Sequence, residues 1–213
     1  MKFDKGIGKK YRKSIDDAFQ TILDKGNKEH QRVVKMILDS KMTICCFPVS
    51  KVHASGIAGV TNPRQTNERI REERLSLLDA FEDVFITIAE ETIDTGGQRG
   101  CEGTFVHEGR HAFDFAQAIA SFSEADVNPL SVFNPTRYEL EWEAHKTAGE
   151  YMIQIGKDEY IQEGLNLMVL EQKNGKIIVS ENGIKRRLLN SYNMSEDGNQ
   201  GEPVSEMFGL RFK

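Results

Sequence analysis

The chain has 213 residues, 28 Lys and Arg against 33 Asp and Glu, a formal net charge of −5, and 38% hydrophobic residues. That is enough length and apolar content for one self-supporting globular domain, or one with a small appendage. The acidic balance argues against nonspecific nucleic-acid binding, and no segment approaches the roughly 20 apolar residues a membrane helix needs.

The start, Met1-Lys2-Phe3-Asp4-Lys5, is charged and has no apolar leader core. Three cysteines, Cys45, Cys46 and Cys101, make a poor disulfide framework. A reducing, cytoplasmic compartment is the expectation; export by a route that needs no leader would leave no mark on the sequence.

In chain order, residues 11–25 and 28–40 carry apolar positions at helical spacing, and Gly26 stops the first run. Thr43 to Phe47 is short and β-prone, ended by Pro48. Residues 50–66 are rich in small residues and end at Asn62-Pro63, which reads as loop. Glu68 to Leu78 fits either a short helix or an extended arm. Val84 to Ile88 is a strand by β-branched content, and Thr95 to Gly100 a flexible turn. Helices follow over 104–122, with Thr104 as the N-cap, and over 137–155. The linker between them contains Pro129 and Pro135. Residues 165–179 read as a hairpin turning at Asn174-Gly175, with a helix over 159–172 as the rival. The polar stretch Ser195 to Pro203 reads as loose. Helices and strands are mixed without regular alternation, which gives an α+β class.

The chemistry concentrates in His107-Glu108-Gly109-Arg110-His111, an H-E-x-x-H motif. Two histidines at i and i+4 lie one helical turn apart, about 40° in azimuth, so both imidazoles can reach one ion. Phe115, Ala118 and Phe122 continue their face, which turns the imidazoles inward, where a metal or hydrogen-bond partner is needed. Glu108 lies about 100° away, where a base for a metal-bound water belongs.

A third ligand is available in Tyr138-Glu139-Leu140-Glu141-Trp142-Glu143-Ala144-His145. With Leu140 at 0°, Glu141 falls near 100°, at the edge of the apolar face, Glu143 near −60° and Glu139 near −100°. Glu141 is the first choice and Glu143 the second. His145, one turn after Glu141, reads as a partner that orients the carboxylate or as an alternative ligand. Asp114 is placed to accept a hydrogen bond from a ligand imidazole, or is a surface residue. Cys101 is either a thiolate that plugs the open metal position or, more simply, a loop cysteine. His30 reads as a surface residue, and His53, in the small-residue stretch before Gly56, either reaches the site or, more simply, is a surface residue.

These residues resemble the zincin metallopeptidases, and among them the gluzincins, whose third ligand is a Glu from a later helix. Glu141-Trp142-Glu143-Ala144-His145 is similar to the E-x-E-A-[D/N] pattern of several such families, with His145 where Asp or Asn is usual. The resemblance covers residues 83–155. It implies Zn²⁺ held by His107, His111 and Glu141, with Glu108 as general base and His145 in the supporting place. It also implies an oxyanion helper, for which Tyr138, His145 and Arg137 are the nearby candidates, and a protein or peptide substrate. The expected fold is a small mixed or antiparallel sheet with an active-site helix and a second ligand-bearing helix. The expected organisation is an N-terminal portion over 1–80, integral or separate, a zincin-like core over 81–160, and a C-terminal hairpin or helices with a loose tail over 161–213. Small H-E-x-x-H domains also occur as toxin or effector modules. The alternative is a non-catalytic module of the same fold that binds metal structurally or binds a partner.

Overall fold

The computed structural model describes residues 1–124 and 128–213; residues 125–127 of the expected linker lie outside that range. The fold is α+β. Helix α1 (Lys9–Lys25) buries Ile15, Ala18, Phe19 and Ile22, and helix α2 (Lys28–Asp39) buries Val33, Val34 and Ile37. Strand β1 (Lys2–Phe3) and strand β2 (Thr43–Phe47) run parallel. A short helix α3 (Val49–Val52) leads into strand β3 (Gly56–Val60). Helices α4 (Pro63–Glu72) and α5 (Leu77–Ala80) then lead to strand β4 (Val84–Ala89). The sheet is mixed, in the order β1-β2-β4-β3, with β2 and β4 parallel and β3 and β4 antiparallel.

Two expectations change here. Residues 50–66 are not a loop. Gly56–Val60 form a strand by antiparallel pairing with β4, and its glycines sit where neighbours leave no room for a side chain: a Cβ on Gly59 would stand 2.9 Å from the Phe85 ring. The sequence also points to Val84–Ile88, the strand just upstream of the motif, as the place where an extended peptide could pair; instead β4 has both edges paired, and the free edge beside the motif helix belongs to β3.

Helix α6 (Glu90–Phe122) is interrupted at Gly97, whose φ of 57° and ψ of −147° suit glycine alone. The expected turn over 95–100 is therefore a break within a longer helix, and Thr104 is interior rather than an N-cap. Beyond the break α6 is buried on nearly every side, from Cys101 through Phe105, His111 and Phe115 to Phe122. Cys101 donates to the Ser14 carbonyl of α1 at 3.6 Å. It is a buried core residue, not a loop cysteine, and its packing against α1 raises the thiol well above its usual range.

Helix α7 (Arg137–Ile155) starts at a Thr136–Glu139 capping box and ends at Gly156 in the left-handed region. Its first free N–H groups are satisfied by the polar tail, Arg137 donating to Glu202 at 3.0 Å and Tyr138 to Gln200 at 2.9 Å. That is why the stretch 195–203 is tied down rather than loose. Helix α8 (Asp158–Asn166) precedes strands β5 (Leu170–Lys173) and β6 (Lys176–Val179). The hairpin turns at Asn174-Gly175, both at positive φ, and the rival helix ends before it starts. Helices α9 (Glu181–Tyr192) and α10 (Val204–Met207) complete the order. One hydrophobic core runs from Ile7 to Leu210.

His30 is buried, not surface-exposed. Its Nδ1 accepts from the Asn27 N–H, closing the cap of α2, and its Nε2 donates to the Thr147 carbonyl of α7 at 3.0 Å. Burial lowers its pKa, against the raising effect of that carbonyl. Folding therefore resists a proton that the unfolded chain takes up near pH 6.5, and this contribution is lost as pH falls below that value.

Two stability measurements follow. His30→Gln is expected to lower the denaturation midpoint at pH 7.5 and to flatten the loss of stability between about pH 7 and pH 5; an unchanged pH slope contradicts the assignment. Gly97→Ala is expected to cost about 1–3 kcal/mol, while Gly103→Ala, in open space inside the helix, is expected to gain up to about 1 kcal/mol.

Candidate metal centre

Four donor atoms from α6 and α7 converge. His107 Nε2 lies 3.2 Å from His111 Nε2. Glu141 Oε2 lies 3.6 Å from His107 Nε2, 3.7 Å from His111 Nε2 and 3.9 Å from His145 Nε2. Ligands about 2.0–2.2 Å from a tetrahedral Zn²⁺ stand about 3.3–3.6 Å apart, by the geometry of a tetrahedron, so the spacing suits such an ion. Two overlapping triads share His107 and Glu141, one completed by His111 and the other by His145. The first is the better donor set, because Arg187 Nε already donates to His145 Nε2 at 3.3 Å and claims its lone pair.

The electrostatics also call for a cation. Glu141 Oε2 is buried without a hydrogen-bond partner among the described residues. Burial alone would raise its carboxyl; the imidazoles of His107 and His111 overturn that and hold it well below the ordinary carboxylate range. Burial would likewise lower His111, but the Glu141 carboxylate, then Glu108 and Asp114, raise it. His145 is lowered to about 3 by burial, then by His107 and Arg187, so it is a neutral imidazole near pH 7.

A cleft of about 570 Å³ opens over this cluster. His107, Glu108 and His145 line it, whereas His111 and Glu141 do not. Gly56 of β3 forms one wall, and a Cβ there would stand 2.4 Å from Thr104 Cγ2 and 3.0 Å from Glu108 Cγ. The edge strand thus lies directly on the motif helix. Two residues from α9, Arg187 and Tyr192, also line the cleft. Burial, then the negative Glu141, pushes the Tyr192 phenol up to about 12, so it keeps its proton as a donor.

His107, Glu108, His111, Glu141 and His145 are thus together. Glu143 is not: it lies toward solvent beside Lys146 at 3.9 Å. Tyr138 is not either. It stacks on Trp142 with ring centroids 6.2 Å apart, in a separate cavity on the other side of α7. Arg137 lies over the Tyr192 ring, 5.7 Å from its centroid, and outside the cleft lining. Cys101 faces α1, and His53 is exposed on the turn after α3, neither lining the cleft. Asp114 is buried and spends one oxygen on Arg110 at 2.9 Å. Arg187 and Tyr192 carry no motif; only the packing of α9 on α7 brings them in, and no local pattern announces it. No protein-family model, curated protein or solved structure matches the chain.

The donor set has a direct check in metal content by mass spectrometry after purification in zinc. The wild type is expected to hold about one ion per chain. His107→Ala, His111→Ala and Glu141→Ala should each hold close to none, and Glu143→Ala as much as the wild type.

Proposed function

We propose that the chain is a zinc-dependent metallopeptidase of the zincin type. The observation that carries this reading is the meeting of His107, His111 and Glu141 at tetrahedral spacing, with Glu108 on the same cleft wall and a free strand edge beside it. Bound zinc would supply Lewis acidity, acidifying water toward a pKa of about 7 and polarising a scissile carbonyl.

The chain's own residues do the rest. Gly56 to Val60 offer main-chain groups along the outer edge of β3, where an extended peptide pairs as an added strand. Glu108 takes the proton of the attacking water and returns it to the leaving amine. Tyr192 Oη and the Arg187 guanidinium, which has no carboxylate within ion-pair distance among the described residues, donate to the oxygen that gains negative charge. Arg187 also holds His145 in place. Helper residues from α9 thus replace Tyr138 and Arg137 in the oxyanion role. The effector-type setting and the cytoplasmic location belong to the same proposal. Among the described residues no helix is long and apolar enough to cross a membrane.

The 3.9 Å between His145 Nε2 and Glu141 Oε2 favours one second reading. If His145 turns from Arg187 to the ion, four protein ligands close the centre and the chain is a non-catalytic metal-binding module.

One set of variants separates the two, assayed on unfolded protein substrates and a random peptide library. Glu108→Gln is expected to retain its metal and lose about 10²–10⁴-fold in turnover. Tyr192→Phe should lose about 10–10³-fold in kcat with little change in KM. A zinc-loaded wild type that cleaves nothing, and that loses affinity for the ion on His145→Ala, overturns the peptidase reading and supports the closed centre.

A further inference from the structure

A second cavity, of about 440 Å³, lies where the ends of α1 and α7, the Gly97 break of α6 and the start of α8 meet. Its floor holds Glu102, which is 1% exposed. Tyr151 and Tyr160 both donate to Glu102 Oε2, at 2.7 and 2.8 Å. Both phenols are raised well above their usual range, first by burial and then by this carboxylate, so they stay protonated. With two donors on Oε2, the carboxylate is pinned. Oε1 has no hydrogen-bond partner among the described residues, and Glu102 lines the cavity, so this is the oxygen left for a ligand.

A buried acceptor at the bottom of a polar pit calls for a donor, and a cationic nitrogen above all. The mouth carries the opposite sign. Lys25 and Lys157 border it, and neither has a carboxylate within ion-pair distance among the described residues; one acid, Glu159, lies there with them. The remaining cation, Arg99, is spent on Glu163 at 2.6 Å.

We propose that this cavity binds a small zwitterion, a free α-amino acid, with its ammonium group on Glu102 Oε1 and its carboxylate toward Lys25 and Lys157. The site stands apart from the metal cluster and needs no ion. It shares a wall with the metal cleft: Gly96 borders both spaces, and the Arg99–Glu163 pair joins a residue lining one to a residue lining the other.

The test is calorimetric titration and thermal melting of the full chain, in EDTA, with each common amino acid and with a matched alkylamine that lacks the carboxylate. At least one amino acid is expected to bind and raise the melting temperature, and to bind at least about tenfold more tightly than the alkylamine. Glu102→Gln keeps an acceptor for both phenols but removes the charge, and should weaken binding at least about tenfold while the protein still melts cooperatively. Lys25→Ala with Lys157→Ala, both on the surface, should weaken the amino acid and leave the alkylamine unchanged. The proposal is overturned if no amino acid binds at millimolar concentration, if the alkylamine binds as tightly, or if the Lys double variant binds the amino acid as the wild type does. Because the measurement is made without metal, a failed peptidase assay leaves its outcome untouched.

Discussion

Two imidazole nitrogens 3.2 Å apart, with a carboxylate oxygen within 4 Å of both, form the polar constraint on which the candidate site depends. In an interior of low polarity, such a cluster is costly unless protons or a cation hold it together. A divalent ion at its centre would satisfy all three donors at once. The surrounding fold is arranged around that point. Helix α6 is buried on nearly every side, so the side chains of its motif turn have little freedom. Helix α7 is fastened at its start by a capping box and the polar tail, and in its middle by His30 of α2. The glycine inside the motif fits this scheme. A Cβ on Gly109 would meet Ile37 and Val33 at 3.4 and 3.6 Å, so α2 packs closely onto the motif helix at that turn.

Much of this was legible in the residues, and the limits have physical reasons. The i, i+4 histidines fix their own geometry through the helical repeat, and the azimuth of Glu141 on α7 was enough to prefer it to Glu143. Both inferences use one helix at a time, where local periodicity is reliable. What failed depends on packing between distant segments. β3 looks like a loop because its strand is built from glycines and alanine, chosen for clearance from Thr104, Glu108 and Phe85 rather than for β-propensity. His30 looks like a surface residue because its partner, the Thr147 carbonyl, lies 117 residues away. Arg187 and Tyr192 sit on a helix with no motif, and only the tertiary fold carries them to the cleft wall.

The balance between an open and a closed centre comes down to a single hydrogen bond. His145 stands where the gluzincin pattern has Asp or Asn, and it is close enough to Glu141 to compete for an ion. Arg187 takes its Nε2 lone pair, and the positive guanidinium, after burial and His107, keeps the ring neutral. With His145 so engaged, three protein donors remain for the ion and the side toward the cleft stays free for water and substrate. Removing Arg187 would release the imidazole; under the proposed peptidase reading it would also remove an oxyanion donor.

An anomalous-scattering map at the zinc edge, from crystals grown with the metal, tests the central claim most directly. The account predicts one peak about 2.0–2.2 Å from His107 Nε2, His111 Nε2 and Glu141 Oε2, with His145 still on Arg187 and a fourth position open toward the cleft. A map with no peak among these side chains, or one in which His145 fills the fourth position, would contradict it.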